Sequence, residues 1–189
     1  MARGQKKSRS QGWPIVLIDE SGFMLQPVVR RTWAPRGKTP VHSSWDRHDR
    51  LSVIAGIALS PVRRRPRLYF RVYAQNIRSE QVIQFLTSLR RHLRRKFLLV
   101  LDRYSVHRKA VRVLLESHPD WLEVEWLPAY APDLNPTERV WGHSKYGDLA
   151  NFIPDDVADL HQAVTTSLEA MGSEPHLLRS FFRHAGLEI

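Results

Sequence analysis

A chain of 189 residues is long enough for one well-buried domain and barely long enough for two. It holds no cysteine, which excludes a disulfide framework and a thiolate metal site, and no apolar run nears the ~20 residues that span a bilayer. Lys and Arg outnumber Asp and Glu by 29 to 19, and the resulting net charge of +10 attracts polyanions; nucleic acid is the natural partner, a basic but merely solvated surface the plain alternative.

Residues 1–13 are basic and polar and read as a disordered lead-in, with no hydrophobic stretch behind them to make a signal peptide. A cytoplasmic protein is the expectation. Pro14-Ile15-Val16-Leu17-Ile18 then reads as a buried strand that delivers Asp19 at its end, and a second strand, a hairpin partner, is expected within residues 23–33. Residues 34–40 carry loop chemistry. Apolar runs at 51–59 and 68–73 read as strands, joined by a Pro-bounded basic turn with Arg63, Arg64, Arg65 and Arg67. From Ser79 to Lys96 the period changes: Val82, Leu86, Leu89 and Leu93 mark one helical face, and Arg90, Arg91, Arg94, Arg95 and Lys96 crowd the last turns. Phe97 to Leu101 is a buried strand ending in Asp102. A helix near 108–116, a strand at 122–127, a Pro-rich turn and a helix capped by Asn135 with Pro136 at its first position follow. Two further helices close the chain. This order predicts an α/β fold, a mixed sheet flanked by helices, with parallel neighbours around strands 97–101 and 122–127.

Two strands thus end in an aspartate, Asp19 and Asp102, and a third acid, Glu138, opens a helix after the next strand. Open α/β sheets place ligand sites at strand ends. Three carboxylates in one cleft repel each other unless a cation joins them, and oxygen ligands without cysteine point to Mg²⁺ or Mn²⁺ rather than zinc. Read singly, each acid has a structural alternative: the aspartates as strand terminators, Glu138 as the acid of a capping box with Asn135.

Residues 127–138, Leu-Pro-Ala-Tyr-Ala-Pro-Asp-Leu-Asn-Pro-Thr-Glu, followed by Trp141 and Lys145, resemble the third-acid segment of mariner-like bacterial insertion-sequence transposases of the DDE superfamily. Leu101-Asp102-Arg103-Tyr104-Ser105-Val106-His107 resembles the second-acid segment, Ile18-Asp19-Glu20-Ser21 the first, and residues 31–37 the loop that follows it. Thirty-five residues separate Asp102 from Glu138, a spacing typical of that superfamily. Many relatives have Asn after the second aspartate where this chain has Arg103, a departure that touches substrate contacts rather than the acids.

The resemblance implies a ribonuclease H-like fold over 14–189 and a site in which Asp19, Asp102 and Glu138 bind two Mg²⁺ or Mn²⁺ ions. It implies metal-dependent cleavage and strand transfer at transposon ends, DNA as partner at the ends and at a TA target, and a homodimer assembled on DNA. Relatives carry an N-terminal helix-turn-helix region, which this chain is expected to lack. Arg63, Arg64, Arg65, Arg67 and Lys145 are candidate phosphate contacts, with solvated side chains as the alternative. Trp141 is expected in the core, and His107 in a capping or packing role rather than near the phosphate. Two rival functions stand beside this one: a ribonuclease H-like nuclease without strand transfer, and a catalytically idle DNA-binding domain.

Overall fold

The computed structural model describes residues 2–41, 49–60, 65–129 and 131–187. Its centre is a five-stranded sheet of order β3-β2-β1-β4-β5. β1 (Ile15–Met24), β2 (Arg50–Leu59) and β3 (Pro66–Tyr73) form an antiparallel half. β4 (Phe97–Leu101) and β5 (Leu122–Trp126) run parallel to β1 and to each other. Parallel neighbours need crossovers, and α2 (Ser79–Leu93) and α3 (Ser105–Ser117) supply them. The parallel pairing and the mixed sheet are as the order of elements predicts.

Helices cover both faces, so the central strands read as unbroken apolar runs. Val16 and Ile18 of β1 pack with Val82, Phe85, Leu86 and Leu89 of α2 and Ala110, Val111 and Leu114 of α3. Leu17 and Phe23 face the opposite layer. There α4 (Thr137–His143), α5 (Val157–Gly172) and α6 (Pro175–His184) contribute Trp141, Leu168 and Phe182, among others. Alternation along β1 therefore sends odd-numbered residues to one layer and even-numbered residues to the other. No helix among the described residues is long and apolar enough to cross a membrane.

Four expectations need correction. The basic lead-in is helical, α1 (Ala2–Gln11). Its polar sequence gives it little to bury, and it is held at its C-terminus: Trp13 N–H donates to Ser8 O at 2.9 Å and Gly12 N–H to Arg9 O at 3.3 Å, the closure that a glycine at φ +65° permits. No hairpin partner lies in 23–33. β1 itself runs on to Met24, its antiparallel partner is β2, and past Pro27 the one sheet-like contact is a bridge from Val28 to Ala150. Asp19 is consequently mid-strand, opposite Ala55 of β2. Helix α4 begins at Thr137, so Asn135 precedes its cap, although its Oδ1 still accepts the Thr137 N–H at 3.2 Å. Boundaries elsewhere shift by a few residues; α2 stops at Leu93 because Arg94 turns left-handed at φ 55°.

Candidate active site

The last ladder pair of the parallel strands β1 and β4 is Leu17 with Val100. Asp19 and Asp102 each lie two residues beyond it, where the parallel pairing of β1 with β4 ends, the kind of place where α/β sheets put their ligands. Beyond Leu17, β1 continues with β2 alone, and the segment before α4 docks on it. Asn135 Nδ2 donates to Ile18 O at 3.1 Å and Thr137 Oγ1 to Leu17 O at 2.9 Å. Both side chains are buried, so this register is fixed, and it brings Glu138 beside Asp19.

On the odd-numbered face of β1 the groups are Asp19, Ser21, Glu138, Trp141 and Lys145. Trp141 Nε1 donates to Asp19 Oδ2 at 3.0 Å while its ring packs in the core. Burial, and next the negative charge of Glu138, push the Asp19 carboxyl up from its ordinary 3.8 to about 7, against the Trp141 hydrogen bond, which favours the anion. Lys145 follows α4 in a π-helical turn (Ser144–Asp148), which turns it inward. Its Nζ donates to Ser21 Oγ at 2.7 Å and lies 5.1 Å from the centre of the Phe23 ring. Burial lowers its pKa, while Glu138 and Asp19 oppose that shift. Of the two readings of Lys145, a solvated lysine is thus set aside: its ammonium stands among the acids.

The even-numbered side carries a second cluster. His107, 1% exposed, places Nδ1 2.5 Å from Asp102 Oδ1 and Nε2 2.7 and 2.8 Å from the two oxygens of Glu20. Carboxylates only accept, so both ring nitrogens donate. Burial disfavours the cation, but the hydrogen bonds and charges of Glu20 and Asp102 outweigh it and raise His107 to about 9. His107 is therefore a buried cationic bridge from α3 to β1 and β4, not a helix cap. Asp102 Oδ1 also accepts the Tyr104 N–H at 3.0 Å.

The structure thus brings Asp19 and Glu138 together and ties Asp102 to His107. Among the described residues no three His, Asp or Glu side chains are grouped closely enough to hold a metal ion. Glu138 is not the acid of a capping box with Asn135, whose N–H donates to Pro132 O at 2.8 Å. Sequence reasoning assigned Glu20 no role; the signal was its place beside Asp19, since adjacent strand residues face opposite layers.

Arg63 and Arg64 lie outside the described residues. Arg65 and Arg67 stand at the far end of the sheet, in a cleft of about 460 Å³ that Pro14, Tyr69, His92 and Arg95 also line. Two arginine clusters distant in sequence therefore meet there.

A family model described as DDE superfamily endonuclease matches residues 14–160. No curated protein matches the chain. Among solved structures, the Mos1 mariner paired end complex with Mn is similar at a TM-score of 0.65 and 18% identity, over 98% of this chain and 56% of that one. The Mos1 strand transfer complex matches at 0.63 and 18%, over 96% and 56%, and a pre-cleavage Mos1 transpososome at 0.63 and 18%, over 100% and 60%. The chain spans little more than half the length of these proteins, and at such identity the likeness is one of fold: a ribonuclease H-like mixed sheet flanked by helices. The family match runs from the strand that carries Asp19, through the helix that carries Glu138, and into α5, and by it this chain belongs to the DDE superfamily endonucleases.

Proposed function

We propose that residues 14–189 are the catalytic domain of a mariner-like transposase, which cuts DNA at the ends of a bacterial insertion sequence and joins the freed strand to target DNA. The observation that carries this reading is the Asp19–Glu138 pair. Burial, and next the charge of Glu138, drive the Asp19 carboxyl to a pKa of about 7, so the pair is one that added positive charge would stabilise beyond what Lys145 supplies. Oxygen donors of this kind suit Mg²⁺ or Mn²⁺. Asp19, Glu138 and Asp102 would hold the ions, with Asp102 reaching the site from the end of the neighbouring strand. Two such cations, when bound, activate the attacking oxygen and stabilise the leaving one.

The chain's own residues do the rest. Trp141 fixes Oδ2 of Asp19. Lys145, beside Ser21, places a positive charge where a phosphate would approach the acids. Arg65 and Arg67 are proposed to grip the DNA backbone away from the point of cutting, and Arg95 joins them through the shared cleft; Arg63 and Arg64 are proposed as phosphate contacts on their sequence alone. Water attacks first and frees a 3′-hydroxyl, which then attacks target DNA. By the same reading two copies assemble on the paired ends, in the bacterial cytoplasm where the chromosome lies.

The test is an oligonucleotide assay that scores nicking and joining separately in Mg²⁺ or Mn²⁺. The parent chain, supplied with its recognition region where discrimination of ends is needed, is expected to give both products. Asp19→Asn, Asp102→Asn and Glu138→Gln are each expected to give neither. Nicking without joining would favour a simple nuclease, and no product in either arm an idle DNA-binding domain.

A further inference from the structure

We propose that Glu20 and His107 are positioning residues that hold the Asp102 carboxylate with one oxygen bound to the protein and the other left for a divalent cation. The inference rests on the metal-dependent reading above and adds two residues to it. The side chain of Asp102 is 56% exposed, so packing alone does not fix its rotamer. What fixes it is a pair of donors on one atom: Tyr104 N–H at 3.0 Å and His107 Nδ1 at 2.5 Å both meet Oδ1. Oδ2 is the oxygen those donors leave over.

His107 is suited to this task because it cannot turn. It is buried in the packing of α3 and is clasped from behind by both oxygens of Glu20. Both ring nitrogens are taken up by carboxylate oxygens, so in this arrangement neither is left to ligate a metal. Its chemistry is to orient. Glu20 is the next residue after Asp19 on β1, with its side chain on the opposite face. One strand therefore carries a site carboxylate on one side and the anchor for a second on the other, and His107 ties β1 to the residue that follows β4. Hydrogen-bond partners behind metal ligands commonly matter ~10–100-fold in metal affinity.

The experiment is titration calorimetry of the full chain with MnCl₂ and no DNA, comparing His107→Asn with His107→Gln. Both are neutral amides that remove the buried cation, and a melting curve checks that each is folded. Asparagine keeps a donor near the Nδ1 position and so serves Asp102; glutamine keeps one near Nε2 and serves Glu20. The expected result is a Kd for Mn²⁺ within about threefold of the parent for His107→Asn, and weakened by ~10-fold or more for His107→Gln. Equal affinity in the two variants, or parent-like affinity in His107→Gln, overturns the positioning role and leaves the metal site standing. A parent chain that binds no Mn²⁺ overturns both. Should either variant fail to fold, Glu20→Gln, which keeps an acceptor for Nε2, is expected to bind as the parent does, and Glu20→Ala about tenfold more weakly; equal affinities there overturn the proposal.

Discussion

Asp19 takes up a proton on folding because burial, and after it the Glu138 charge, penalise its anion. A carboxyl raised from 3.8 to about 7 lends stability that is complete below pH 3.8 and is lost as pH climbs through 7. His107, raised from 6.5 to about 9, lends stability that is complete below 6.5 and lost on the way to 9. Both slopes have the same sign, so the metal-free chain is expected to weaken steadily from acid to alkaline pH, by about a few kcal/mol across the lower limb. Urea unfolding at a series of pH values checks this. Asp19→Asn should flatten the limb between pH 4 and 7 and spare the upper one; an unchanged lower limb would show that Asp19 is not the titrating group. Asp19 and Glu138 were legible in the sequence because an acid beside an apolar run, or at a helix start, is conspicuous. Glu20 was not, since its meaning depends on a histidine 87 positions away.

At the scale of elements, hydrophobic period announced the strands and crossover helices, and both layers of the core follow from it. What it missed was α1, closed locally at Gly12, and the length of β1, which tertiary pairing sets: a strand that begins at Arg50 pairs it out to Met24. Gly56 gives a sharp test of how the α2 layer sits on the sheet. A Cβ there would meet Ile18 Cγ2 at 3.0 Å and Phe85 Cε1 at 3.4 Å, so α2 packs this closely because the side chain is absent. Gly56→Ala is expected to cost about 1–3 kcal/mol in thermal or urea unfolding. Gly142, within α4, meets nothing inside 4 Å, and Gly142→Ala should gain up to ~1 kcal/mol through helix propensity. Equal effects of the two would mean that helix α2 can shift to admit a methyl group.

For the molecule as a whole, a net charge of +10 predicts polyanion binding but not where it occurs. The fold localises the question, because Arg65, Arg67 and Arg95 converge on one cleft that has no acid among its described lining residues and that Pro14, just before β1, also lines. If DNA phosphates lie there, changing all three to Gln should lower the slope of log K against log salt by about 0.9 for each phosphate no longer neutralised. The control removes the same charge from the outer face of α3, at Arg108, Lys109 and Arg112, and should lower the slope much less. Fluorescence anisotropy with a duplex at several salt concentrations gives both values; matched slopes would mean that general charge, and not the cleft, binds DNA.

The central position of β1 also bears on how the chain folds. β1 opens with residues apolar on both faces, Ile15 to Ile18, and its parallel neighbour β4 lies some eighty residues further along the chain. The bonds that seat Asn135 and Thr137 on it span 117 and 120 positions. Pairings of such range are slow to form, and a strand awaiting them is prone to pair with other chains. Refolding should therefore be slow and concentration-sensitive, with Trp141 fluorescence reaching its native value in the last phase, as α4 docks. A chain caught before that step has its sheet but not the meeting of Asp19 with Glu138, so the paired acids arise only once α4 has docked on β1.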